Sequence, residues 1–120
     1  MSSIVMITDG AALNFTGEKI QADGYYGYAD GLHTVAFYMT NFDGRIYVEG
    51  TLASTPTEED WFGIYLQATY PYIEYTDKSG VQGYTFQGNF IYLRIRVDRT
   101  YLGSPELNTV GTLDKVLLKI

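Results

Sequence analysis

The chain of 120 residues contains no cysteine. A disulfide framework, a thiolate zinc site and a cysteine nucleophile are all excluded. There is one histidine, His33, beside the apolar run Val35, Phe37, Met39. A lone histidine in that setting is ordinarily structural, and no nucleophile elbow accompanies it to build a triad. The glycines match neither of the phosphate-binding loop fingerprints. No apolar run approaches the roughly 20 residues of a spanning helix. The first nine residues lack the basic start and long apolar region of a secretory signal. Positive charge is scarce, with 8 Lys and Arg against 14 Asp and Glu, a net charge of −6. Such a chain repels phosphate backbones and anionic membranes, so neither nucleic acid nor membrane is an expected partner. The bare reading is a soluble protein made in a cytoplasm.

What the chain has is apolar and aromatic. Hydrophobic residues make up 46% of it, enough for one domain around one core. Sustained apolar spacing at three and four residues is lacking, whereas Tyr, Thr, Val, Ile and Phe dominate, which suits a pleated sheet. Asp-Gly pairs at Asp9-Gly10, Asp23-Gly24, Asp30-Gly31 and Asp43-Gly44 are turn signals. Short alternating runs between frequent turns predict an all-β sandwich or barrel.

The runs can be assigned faces. Val35, Phe37 and Met39 share one side; Ile46, Val48, Gly50 and Leu52 share another, and Asp43-Gly44 between them predicts a hairpin. Phe62, Ile64 and Leu66 alternate. The clearest strand covers 89–98, with Ile91, Leu93, Ile95 and Val97 inward and Phe90, Tyr92, Arg94, Arg96 and Asp98 outward. A last strand covers about 114–120, with Val116, Leu118 and Ile120 on one face. The polar stretch 54–60 is either a loop or one helical turn capped by Thr55 or Thr57. Its Glu58-Glu59-Asp60 lacks the spacing of a calcium loop and reads as a solvated turn. No metal, cofactor or catalytic residue is expected.

The twelve tyrosines concentrate in Gly24-Tyr25-Tyr26-Gly27-Tyr28 and around Tyr70, Tyr72 and Tyr75. A tyrosine ring orders at low entropic cost and carries both an apolar face and a hydroxyl. Three readings stay open: rings that cap the core, anchors for a protein partner, or platforms on which a pyranose stacks. For a protein interface the residues are Tyr25, Tyr26, Tyr28, Tyr70, Tyr72 and Tyr75. For a glycan they are Trp61, Tyr70 and Tyr72 with the acids Glu58 and Asp60. Arg94 and Arg96, beside Tyr92 and Phe90, are set for a cation–π ladder or an interface feature, or for cross-strand pairing with Glu49 or another acid.

The stretch 19–35, built around Gly24-Tyr25-Tyr26-Gly27-Tyr28, resembles a segment in virion structural proteins of tailed, contractile-tailed cyanophage-like bacteriophages. So do 44–62, with Glu58-Glu59-Asp60-Trp61-Phe62, then 88–97, with Leu93-Arg94-Ile95-Arg96-Val97, and the closing 111–116. The second and third stretches are also similar to the galactose-binding-like, or discoidin-like, jelly roll. The chain departs from secreted members of that fold in having no terminal cysteine pair and no clear ligand motif. The resemblance implies a jelly-roll-like form for the single antiparallel β-sandwich expected over 1–120, in which 1–30 is read as an extended N-terminal arm or loop region. It implies a non-enzymatic virion component, made in the host cytoplasm, that decorates or cements a capsid or belongs to the neck or tail. Partners would be other virion proteins, reached through tyrosine-rich loops and sheet edges. A homo-oligomer, a trimer for example, follows from the symmetry of such particles. The alternative is a glycan-binding adhesin module of a tail or fibre, contacting a host glycan.

Overall fold

The computed structural model describes residues 4–7, 14–22, 31–67, 69–103 and 110–119. The strands are β1 (Ile4–Ile7), β2 (Phe15–Thr16), β3 (Ile20–Gln21), β4 (Leu32–Thr51), β5 (Phe62–Gly63), β6 (Ile73–Gln87), β7 (Tyr92–Asp98) and β8 (Thr112–Lys119). All pair antiparallel in one continuous sheet, so the all-β expectation holds. The described part of 1–30 is laid into that sheet: β1 pairs with β8, and β2 and β3 both pair with β7.

Everything is organised by β4. One of its edges carries β6 from Leu32 to Ile46 and then β5 at Glu49 and Gly50. The other edge carries β8 along Thr34 to Thr40, then β7 along Arg45 to Thr51. A 20-residue strand this long must bend to close over a core, and the bend lies at 40–44. There the expected hairpin is not formed. Register shifts fall between Met39 and Phe42 and between Phe42 and Gly44, and Asn41 takes φ +48°. The extra residues re-phase the strand. Val35, Phe37 and Met39 are buried before the bend; Phe42, Ile46 and Val48 are buried after it; Thr40 and Asn41 between them are exposed. Asp43-Gly44 thus marks a bulge, not a turn, because both halves of β4 keep β6 as a common partner.

Strand β6 bends in step. Its buried residues change from Ile73 and Tyr75 to Phe86 across Asp77, at φ +48°, and Gly80, at φ +104°. Side chains latch the two bends together. The Asp77 N–H donates to Asp43 Oδ1 at 2.6 Å, the Asn41 N–H donates to Ser79 Oγ at 2.9 Å, and Ser79 Oγ donates to Asn41 Oδ1 at 3.2 Å. Beneath lies Arg99, 1% exposed. Its Nε donates to the Asp43 carbonyl at 2.8 Å and its Nη2 to the Gly111 carbonyl at 3.2 Å, while the guanidinium lies 4.5 Å from the Phe42 ring centroid. A buried cation is tolerated here because the bulge and the backbone at Gly111 each supply a carbonyl acceptor. Gly111, at φ +68°, abuts the bend so closely that a Cβ would fall 2.1 Å from the Asn41 carbonyl oxygen.

The core inside the curl joins both halves of β4 to Leu93, Ile95 and Val97 of β7 and Leu113, Val116 and Leu118 of β8. Four other expectations need correction. Phe90 is buried, not outward, because it precedes β7 and packs over Gly50 and Gly88, where a Cβ would lie 2.6 and 2.4 Å from its ring. Leu52 is exposed, since β4 ends at Thr51. Phe62 is exposed and Ile64 buried, because β5 is only two residues long and strict alternation does not continue. Tyr75 is no surface contact: it is 9% exposed and its hydroxyl bonds that of Tyr84 at 3.0 Å. Burial, with the Tyr84 bond, raises its pKa. His33 is structural as expected. It is 1% exposed, its Nε2 lies 2.8 Å from the Gly88 carbonyl oxygen, and its ring stacks on Phe86. Ile120 lies outside the described residues.

Candidate functional site

The outer face of the second half of β4 and of β7 carries the most organised group of polar and aromatic side chains. Antiparallel register sets Arg45 opposite Asp98, Tyr47 opposite Arg96 and Glu49 opposite Arg94. Directly opposed residues have neighbouring Cβ atoms, so opposite charges there meet without long excursions. Glu49 bridges two arginines: Arg94 Nε donates to Oε1 at 2.8 Å and Arg96 Nε to Oε2 at 3.1 Å. The expected cross-strand pairing with Glu49 is formed, while the cation–π contacts of Arg94 and Arg96 are made with Trp61 and Tyr47 instead of the Phe90 and Tyr92 expected.

The turn after β4 completes one end. Glu58–Asp60 forms a single 3-10 turn, with Asp60 Oδ2 accepting from the Thr57 N–H at 2.7 Å and from Thr57 Oγ1 at 3.1 Å. That choice of Thr57 realises the helical-turn reading of 54–60. It presents Glu58 to Arg94, whose Nη1 and Nη2 donate to its two carboxylate oxygens at 3.3 and 3.0 Å. The bond to Arg94 holds the Glu58 carboxyl below its ordinary pKa. Burial works against the charge of Arg94, but the bonds to Glu58 and Glu49 outweigh it and its pKa is raised. Trp61 covers the guanidinium at 4.2 Å.

From there the side chains continue as a ladder. The Arg96 guanidinium lies 3.8 Å from the Tyr47 ring centroid; Tyr47 contacts Tyr72 at 5.3 Å; Tyr72 stacks on Tyr70 at 5.2 Å and 15°. Arg45 is held between Tyr72, at 4.6 Å, and Tyr101, at 4.2 Å, and its Nε donates to Glu74 Oε1 at 2.8 Å. The bond to Glu74 raises the pKa of Arg45. Asp98 is held below its ordinary value by the Thr100 hydroxyl, assisted by the Thr100 N–H and the nearby arginines. Each of the three arginines already has a carboxylate, so the surface is aromatic and rigid rather than basic.

The structure divides the residues expected to bind a glycan. Trp61 and Glu58 line a cleft of about 400 Å³ with Lys19, Thr57 and Arg94. Tyr70 and Tyr72 line another, of about 330 Å³, with Arg45, Gln67 and Glu74. The two clefts sit at opposite ends of the ladder, and Asp60 lines neither because its carboxylate closes its own turn. Of the expected interface tyrosines, Tyr70 is exposed and Tyr72 half-buried, whereas Tyr25, Tyr26 and Tyr28 lie outside the described residues. Sequence reasoning missed Arg45, Tyr47 and Tyr101. Alternation places Arg45 and Tyr47 outward with Glu49, but nothing local says that β7 would be their neighbour. Among the described residues, no group of three or more His, Asp and Glu is placed to hold a metal ion. No family model, curated protein or solved structure matches the chain.

Proposed function

We propose that this chain is a non-enzymatic structural protein of a tailed-bacteriophage particle, made in the host cytoplasm and assembled with other virion proteins in symmetric copies. Its place is on the capsid as decoration or cement, or in the neck or tail. The resemblance in 19–35, 44–62, 88–97 and 111–116 supports the particle, and the ladder supports the mode of contact. Tyr, Trp and Arg dominate the energetics of protein interfaces, above all when the rings are fixed before binding. Here cation stacking and carboxylate bonds fix them: Tyr47 under Arg96, Tyr72 and Tyr101 around Arg45, Trp61 over Arg94. That preorganised row is the single observation that carries the reading. Tyr25, Tyr26 and Tyr28 add a second contact region on sequence grounds.

The test is incorporation into particles. Tyr47→Ala with Tyr101→Ala, and separately the triple alanine change at Tyr25, Tyr26 and Tyr28, leave a folded chain that enters particles poorly. Unchanged incorporation of both variants sinks the assignment of these contacts.

A further inference from the structure

The Tyr70–Tyr72 cleft shares Arg45 and Tyr72 with the ladder but adds Gln67, Tyr70 and Glu74, which the particle contact does not require. Its floor is a stacked pair of rings in which Tyr72 is already covered by Tyr47 and Arg45, while Tyr70 is 54% exposed at the outer end of the stack. Its rim is Arg45, Gln67 and Glu74. Arg45 supplies only donors, the Glu74 carboxylate only acceptors, and the Gln67 amide both. One positive and one negative group, bonded to each other at 2.8 Å, leave the rim without net charge.

We infer that this cleft binds a neutral pyranoside. A pyranose offers an apolar C–H face to an aromatic ring and equatorial hydroxyls that both donate and accept around its edge. Aromatic rings beside mixed donors and acceptors with no net charge match that pattern. A charged ligand gains from one member of the Arg45–Glu74 pair and is repelled by the other, so the pair gives it no net attraction. A wholly apolar ligand leaves Gln67, Arg45 and Glu74 to lose water without replacement. Sugar packs on the exposed Tyr70 ring, and the Gln67 amide and the Arg45–Glu74 pair that line the same cleft meet its hydroxyls. The inference does not rest on the particle reading: either holds if the other fails.

The experiment is saturation-transfer NMR on the full chain with the methyl pyranosides of glucose, galactose and mannose, together with methyl glucuronide. Expected is transfer to the C–H face of at least one neutral glycoside. It persists in Tyr70→Phe and in Trp61→Ala, and falls about tenfold in affinity in Tyr70→Ala. Tyr70 is exposed, so its alanine variant folds, and Gln67→Ala gives a second variant expected to weaken binding. No transfer from any neutral glycoside overturns the inference. So does transfer unaffected by Tyr70→Ala, transfer lost with Trp61→Ala instead, or preference for the glucuronide.

Discussion

Glu49 and Arg94 face one another directly across β4 and β7, both more than nine-tenths buried, and are joined by a 2.8 Å bond from Nε to Oε1. A carboxylate so placed depends on its partner. Replacing Arg94 by Met leaves Glu49 with Arg96 alone, and we expect a loss of about 3 kcal/mol in chemical denaturation. Glu49→Leu combined with Arg94→Met recovers much of that loss, since no buried charge is then stranded. A double variant no better than the single one contradicts this picture of the pair.

The Glu58–Arg94 bond gives a pH signature with a built-in reporter. Glu58 has a lowered pKa in the fold, so its contribution is present above the unfolded value of about 4.3. That contribution fades as pH falls through the lower folded value. Trp61, the sole tryptophan, stacks on the same guanidinium. Its fluorescence should therefore change with a midpoint below the ordinary glutamate range, and the step should vanish in Glu58→Gln. A midpoint at or above the ordinary value, or a step retained in the variant, argues against the bond.

Much of this was legible in the sequence, and the failures have definite causes. Alternation located β7 and its inward Leu93, Ile95 and Val97, because a half-buried strand writes its burial in period two. Asp43-Gly44 misled, because the same dipeptide serves a hairpin and a bulge; only the shared partner β6 distinguishes them. Arg94 and Glu49 were legible as a pair to be weighed, since both faced outward on strong strands. Arg45 and Tyr101 were not, because Arg45 reaches Tyr72 and Tyr101 from a third, separate segment. Tyr75 was misread because a tyrosine cluster carries no mark of which ring turns inward.

The bend itself can be tested through two glycines. Gly111→Ala places a methyl group 2.1 to 2.3 Å from the backbone of Thr40 and Asn41 at positive φ, and is expected to cost about 3 kcal/mol or to prevent folding. Gly80, also at positive φ, has open space around the same position. Its alanine variant should cost about 1 kcal/mol, from backbone strain alone. Equal losses by thermal or chemical unfolding contradict the close approach at Gly111.

Tyr75 separates core from contact surface. Tyr75→Ala should destabilise the chain by about 3 to 4 kcal/mol, as for other buried aromatic truncations. Tyr75→Phe should cost about 1 kcal/mol, for the lost bond to Tyr84. A fully stable Tyr75→Ala chain would return this residue to the surface.

The proposed role is that of a particle component whose arginine–aromatic ladder faces another protein. Cryo-electron microscopy of the intact particle tests it most directly. The account predicts density for this chain in repeated copies on the capsid, neck or tail, with Tyr47, Tyr72 and Tyr101 against a neighbouring virion protein. Particles without the chain, or with that face open to solvent in every copy, would contradict it.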